Sequence, residues 1–293
     1  MKNKIPFYTI ETLKSSVPRL KDINFYRLED FFENIDHLKE PHRHSFYTFI
    51  LISEGTGKQE IDFIRYRLVK QRLFLIAPGQ IHTWNTIHSV KGYIFLFNDN
   101  FMALSKSKNL LSDWPLFKIY QPCYSDLDFK EYTIWRNEFE RINHEIKNMD
   151  IFSKDAIYYT VCTLMVRACR LFRHSTGSNV ITGSDILYDF QELIDKNFIA
   201  LKTPKEYASK LNITPNYLNA LCKQKAGKSA GELIRQRIVL EAKRLLVHTD
   251  MSIAEISDRL DFKDNSYFGK FFKKNVQLTP VDFRIKNKHT ITR

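Results

Sequence analysis

Hydrophobic residues along this chain follow three successive rhythms. Between residues 20 and 100 they come in short, dense runs. "FYTFILISEG" (46–55) is mostly apolar and ends at Gly55. "EIDF" (60–63) alternates, with Ile61 and Phe63 on one side. "LFLIAPGQ" (73–80) reads as a buried strand closed by a Pro-Gly turn, and "GYIFLF" (92–97) as another. Short strands with turn signals between them predict a small sandwich or barrel. From residue 127 the period lengthens. Trp135, Phe139, Ile142, Ile146 and Met149 are spaced by four, three, four and three residues, and Ile157, Val161, Leu164, Ala168 and Leu171 repeat that spacing. Each set makes one apolar stripe on a helix. Ser153 offers an N-cap to the second helix. Together they predict a helical hairpin over about residues 127–173. Its stripes either pack on the β structure or form a seam with a second copy.

The third rhythm follows a break. "RHSTGSNVITGSD" (173–185) holds Gly177, Gly183 and several small polar residues in a chain otherwise poor in glycine, which marks a linker. The chain thus divides into residues 1–175, a linker at 176–184, and residues 185–293, where nearly everything reads as helix. The helical part repeats itself. "YASKLNITPNYLNALCKQKAGKSAGELI" (207–234) lies over "ISDRLDFKDNSYFGKFFKKNVQLTPVDFR" (256–284). Ala208 matches Ser257 and Leu211 matches Leu260 at an offset of 49; after one inserted residue, Leu218 matches Phe268 and Lys223 matches Lys273 at an offset of 50. One supersecondary unit occurs twice.

Each copy has a short helix with a small residue at its middle, a tight turn, and a second helix with apolar residues on one side. Two helices that cross steeply need a small residue where they meet, which is the logic of a helix-turn-helix. In such a unit the second helix enters the DNA major groove and its early outward residues meet base edges. The first copy offers Asn216, Tyr217, Asn219, Ala220 and Lys223 on that face; the second offers Asn265, Ser266, Tyr267, Gly269, Lys270, Lys273 and Lys274. Asn can bond adenine bidentately, Lys can reach guanine, Ser and Tyr can hold phosphate, and Ala offers apolar contact to a thymine methyl. Gly269 would let its helix come close to the duplex.

These residues carry a resemblance. Phe262, Ser266-Tyr267-Phe268, Phe272-Lys273-Lys274, Thr279-Pro280 and Phe283-Arg284, with Ile253-Ala254-Glu255-Ile256 and the connecting "RQRIVLEAKRLL", resemble the DNA-binding domain of the AraC/XylS family of bacterial transcription regulators. The chain departs from that pattern at two glycines. Asp261 stands where one precedes Phe262, and Gln277 where another precedes Leu278-Thr279, whereas the first unit keeps Gly227. Such glycines serve turns that need positive φ, so their loss is expected to strain the turns. The resemblance implies that two recognition helices sit in successive major-groove segments, about 34 Å apart. The N-terminal half is similar to the small cupin-like barrel that senses effectors in this family, through Gly55–Gly57, read as a turn, and Pro78-Gly79-Gln80-Ile81-His82. The helical hairpin resembles the family's dimerisation region.

His42, His44, Tyr47, His82 and Trp84 would line the mouth of that barrel, aromatic faces beside a few polar groups, as a small-molecule or sugar site needs. His42, His44 and His82 could alternatively hold a metal ion, as in metal-binding cupins, although Thr48 or Phe49 stands where a Glu ligand would fall. No metal or cofactor is assigned. There is no P-loop, G-x-S-x-G or H-E-x-x-H, so no catalytic residue is assigned either.

Composition changes this picture only slightly. The formal net charge is +12, and residues 180–293 hold 20 Lys/Arg against 13 Asp/Glu, so the helical part is the more densely basic and fits a polyanion partner. No apolar segment is long enough to span a membrane, and the N-terminus lacks the apolar core of a signal peptide, which points to the cytoplasm. Cys123, Cys162, Cys169 and Cys222 form no C-x-x-C pair and read as reduced, packed thiols. The expectation is therefore an α+β, two-domain protein: a cupin-like β-barrel (about residues 20–100) with a helical hairpin, then an all-α domain with two helix-turn-helix units. It would act as a sequence-specific DNA-binding regulator, an activator and homodimer answering to a small-molecule effector, with RNA polymerase as a further contact. A metal-dependent cupin enzyme with a nucleic-acid-binding tail, or an effector-independent DNA-binding protein, are the alternatives.

Overall fold

The computed structural model describes residues 5–13, 21–34, 40–103, 123–176 and 186–288. It divides into two compact units, Pro6–Thr182 and a C-terminal unit that begins at Gly183. The predicted linker lies almost entirely outside the described residues, as does much of the N-terminal arm.

The first unit contains strands β1 (Phe7–Tyr8) and β2 (Ile23–Arg27), helix α1 (Leu28–Asn34), strands β3 (Arg43–His44), β4 (Tyr47–Ile61), β5 (Ile64–Leu68), β6 (Arg72–Ile76) and β7 (His82–Phe97), helix α2 (Asp99–Met102), strand β8 (Tyr124–Asp126), and helices α3 (Phe129–Lys147) and α4 (Ser153–Thr176). The main sheet runs β2-β7-β4-β6-β8, with β5 on the far half of β4, while β1 and β3 form a separate parallel ribbon. Side chains alternate across a strand. Phe49, Leu51, Leu73, Leu75, Phe95 and Phe97 therefore point one way and pack on Trp135, Phe139, Ile157, Val161 and Leu164 of the hairpin. Ile50, Ile52, Phe74, Ile76, Ile94 and Leu96 point the other way, into a core completed by Ile61, Leu68 and Trp84. Both halves of β4 feed this second core, so the sheet folds over on itself and encloses it. The unbroken apolar runs in the sequence follow from this: both faces of the sheet are buried, so alternation vanishes.

The C-terminal unit is helical: α5 (Ile186–Asn197), α6 (Pro204–Lys210), α7 (Pro215–Ala226), α8 (Ala230–His248), α9 (Ile253–Arg259), α10 (Asn265–Val276) and α11 (Pro280–Lys288). Polar residues set the boundaries. Ser229 and Ser252 each accept a bond from the backbone three residues on, while Glu232 and Glu255 reach back to them, forming capping boxes at the starts of α8 and α9. Such caps contribute about 1 kcal/mol each. Arg237 of α8 bonds Asp195 of α5 and lies over the Phe198 ring at 3.8 Å, tying α5 to the long central helix.

Several expectations change. The Gly55–Gly57 segment is no turn: β4 runs through it with irregular register on both sides. Gly55 has φ 95°, and a Cβ there would sit 2.5 Å from the Ser89 carbonyl oxygen, so the glycine serves a bulge pressed against β7. The reversal comes at Asp62-Phe63, both at positive φ, so Phe63 lies in the turn and does not share a strand face with Ile61. Ser153 is the first helical residue, not a cap that receives a backbone N–H from the next turn. Its hydroxyl bonds Glu145 and Asp150 and so closes the hairpin loop. Met149 lies past the end of α3 and is exposed. Helix α1 interrupts the stretch read as wholly β. Among the described residues, no helix is long and apolar enough to cross a membrane. The four cysteines are free thiols.

Candidate nucleic-acid interface and barrel pocket

The two helix-turn-helix units bury several matching positions. Ala208 and Ser257 are both fully buried at the crossing of the short helix with the longer one. Leu218 and Cys222 of α7, and Phe268 and Phe272 of α10, form the inner faces. Phe271 is only half-buried, resting on Phe262 with ring centroids 5.1 Å apart. Thr214 and Asp264 cap the second helices through the backbone N–H of Tyr217 and Tyr267.

The turns keep their shape despite the missing glycines. Asn212 and Asp261 take φ 54° at equivalent positions, and Gly227 and Gln277 take φ 67° and 64° at the ends of α7 and α10. Gln277 is thus a non-glycine residue held in the left-handed region, which costs about 1–2 kcal/mol relative to glycine. Gln277→Gly is expected to stabilise the protein by about 1 kcal/mol. An unchanged or lower urea midpoint, at constant m-value, would count against strain in that turn.

The outward faces also correspond. Asn216, Ala220 and Lys223 on α7 match Ser266, Lys270 and Lys273 on α10, and all six are exposed. Tyr217 and Tyr267 are 50% and 57% exposed beside them, and Asn265 and Lys274 are exposed too. The open side of Gly269 is real: a Cβ there would meet nothing within 4 Å. Asn219 is different. It is half-buried, and its Oδ1 accepts the backbone N–H of Ala230 at 2.9 Å. That bond makes Asn219 a brace between α7 and α8. Arg284, part of the sequence motif, likewise points inward. Its Nε donates to the Leu246 carbonyl at 2.9 Å and its Nη2 to the Met251 carbonyl, which fastens α11 onto the end of α8 and the loop that follows it.

In the barrel, His42, His44, His82 and Trp84 all line one narrow pocket whose free volume, about 20 Å³, has room for about one water molecule. Tyr47 does not join them. It is one residue out of phase, and it stacks on Phe97 on the opposite face of the sheet at 5.3 Å. The sequence reading missed Tyr8 and Leu13 from the N-terminal segment, and Phe31, Phe46 and Thr48. Alternation along β4 would have found Thr48; nothing local announces Tyr8 or Leu13. The His42 and His82 rings lie 4.2 Å apart and those of His44 and His82 4.9 Å. His42 Nδ1 lies 2.8 Å from the Glu40 carbonyl oxygen. Burial, reinforced by the His42 charge, lowers the His44 pKa to about 3. The same causes, with His44 added, hold His82 well below 6.5. Both imidazoles are therefore neutral at physiological pH. Neither His82 nitrogen has a hydrogen-bond partner, nor does Thr48 Oγ1 or the Gln59 side-chain amide, which faces Trp84 across the strands. Among the described residues, no group of three or more His, Cys, Asp or Glu side chains is arranged to hold a metal ion.

A pocket in an enclosed sheet and two matched helix-turn-helix units define a ligand-sensing transcription regulator. Residues 25–111 match the AraC-like ligand binding domain and residues 207–286 match a helix-turn-helix domain. The chain belongs to the AraC/XylS family of transcription regulators. It is 23% identical over 251 residues to the HTH-type transcriptional activator RhaR of Yersinia pseudotuberculosis, covering 83% of each chain. It is 24% identical to RhaR of Shigella dysenteriae, covering 84% of this chain and 87% of that protein. A solved structure, the C-terminal domain of AraT from Geobacillus stearothermophilus, is 31% identical over 35% of this chain and 86% of its own, with a TM-score of 0.33.

Proposed function

We propose that this regulator reads a two-part DNA site with α7 and α10 and activates transcription in response to a small, uncharged, hydroxyl-bearing effector held in the barrel. The observation that carries the DNA reading is the match of Asn216, Ala220 and Lys223 to Ser266, Lys270 and Lys273, two exposed stripes at one offset on two similarly capped helices. Activation is the activity named for the RhaR relatives. The effector reading rests on chemistry. His44 and His82 are neutral, Thr48 is polar and buried, and Phe46 and Trp84 supply aromatic faces, with no Asp, Glu, Lys or Arg side chain in the pocket lining. Neutral donors and acceptors between aromatic faces suit a sugar or similar polyol and disfavour an ion.

The regulator works in the cytoplasm as a homodimer, without enzymatic activity. Phe152, just before α4, and Tyr159 and Val166 on it stand seven residues apart, exposed and apolar, beside exposed Ile151, and offer a helical seam to a second copy. RNA polymerase is the partner an activator must then reach. Effector binding would alter how the DNA-reading units are presented, through the hairpin or the N-terminal segment that supplies Tyr8 and Leu13.

Selection from random DNA with the full chain should recover one preferred sequence. Lys270→Ala should then relax preference at one base pair by about 1–3 kcal/mol, while Lys273→Ala should weaken all sequences and reduce the salt slope by about one. If both variants weaken every sequence equally, these roles are wrong. In a thermal-shift screen of uncharged polyols, a hit should vanish in Trp84→Ala; a hit that survives would place the effector elsewhere.

A further inference from the structure

The two DNA-reading units are joined by α8, but a second connection bypasses it. Lys202 lies in the loop before α6 of the first unit. Its Nζ donates to the backbone carbonyl and carboxylate of Asp261, 59 residues away in the turn of the second unit. It also donates to the Ile199 carbonyl at 2.9 Å, and lies 5.1 Å from the centre of the Phe262 ring. Its backbone is fixed as well: Glu206 Oε2 accepts the N–H groups of Lys202 and Thr203 at 3.1 and 2.8 Å. The ammonium is thus directed inward, its side chain only 26% exposed. The acceptor is unusual too. Asp261 holds φ 54° where the family pattern has glycine, so this turn presents both a carbonyl and a carboxylate to Lys202.

We infer that Lys202 is a positioning residue that locks the first reading unit to the turn of the second, and so sets the spacing between DNA half-sites that the protein accepts. A single helix between two units leaves them free to twist about its ends. A second attachment, distant from the first, removes that freedom before DNA is met, so a site with the wrong spacing must bend or break something to be bound. The inference rests on the two-headed reading of DNA proposed above. It also makes Lys202 different from the exposed lysines of α10, because its charge already has protein acceptors.

The test is selection of DNA by the full chain, followed by binding to the selected site with one base pair inserted between its halves. The wild-type protein should lose tenfold or more in affinity for the expanded site. Lys202→Met, which keeps the stem and removes the charge, should bind the selected site within threefold of wild type and discriminate against the insertion by threefold or less. Its salt slope should be unchanged. Spin labels at Gln224→Cys and Asn275→Cys, read without DNA, should give one narrow distance in the wild type and a broadened one with Lys202→Met. Retained spacing discrimination with an unbroadened distance overturns the inference. A uniform loss of affinity with a reduced salt slope also overturns it, since Lys202 would then be a phosphate contact. If the wild type selects sequences but tolerates insertions, the lock is refuted while DNA reading stands; if it selects no sequence, both fall.

Discussion

Lowering the pH from 7 to 5 is expected to destabilise the N-terminal unit by about 2 kcal/mol through His44 alone. The folded chain keeps this imidazole neutral down to about pH 3, because it is buried and lies beside His42. The unfolded chain protonates it near the usual value of about 6.5. Protons therefore bind the unfolded state more readily, and stability falls progressively as the pH drops below about 6.5. His82 acts in the same direction. The window above pH 5 avoids most carboxylate titration. Urea midpoints followed by tryptophan fluorescence would report on this unit, because all three tryptophans lie before residue 136. His44→Leu should flatten the dependence. An equal acid loss in that variant would show that other groups cause it.

A second large effect is expected at the crossing of α9 and α10. Ser257 is fully buried there and its hydroxyl has no partner, whereas its counterpart in the first unit is Ala208. Ser257→Ala should stabilise the protein by about 1 kcal/mol by removing an unsatisfied hydroxyl. Ser257→Leu should cost about 3 kcal/mol, because the two helices must separate to admit a larger, branched side chain. It should also weaken specific DNA binding more than tenfold, since α10 presents Ser266 and Lys270 only while seated on α9. If the leucine variant retains full affinity, α10 does not carry the second half of the reading.

The C-terminal unit was legible because its information is local and stated twice. Two copies in register reveal which positions are common, and small residues at 208 and 257 and apolar ones at 218, 222, 268 and 272 then mark the interior. The bracing bond of Asn219 was not legible, because a half-buried amide looks, in sequence, like any outward asparagine. Its partner, Ala230, lies on another helix. The pocket was harder. His42, His44 and His82 were visible as histidines around strand ends, but Tyr47 was counted with them against the parity of β4. Tyr8 and Leu13 enter from a segment with no periodicity of its own. The strand breaks failed for a related reason. Gly55 looks like a turn in sequence, and only its approach to the Ser89 carbonyl shows that glycine there makes room for a neighbouring strand.

The alternation along β4 has one more consequence. Thr48 and Ile50 line the pocket, while Phe49, between them, lies against Trp135 of the hairpin with ring centroids 5.8 Å apart. One residue of backbone separates the pocket side from the hairpin side. The strand acts as a diaphragm: whatever pushes on its inner face displaces its outer face by the same amount, because a close-packed wall one strand thick has nothing in which to absorb the movement.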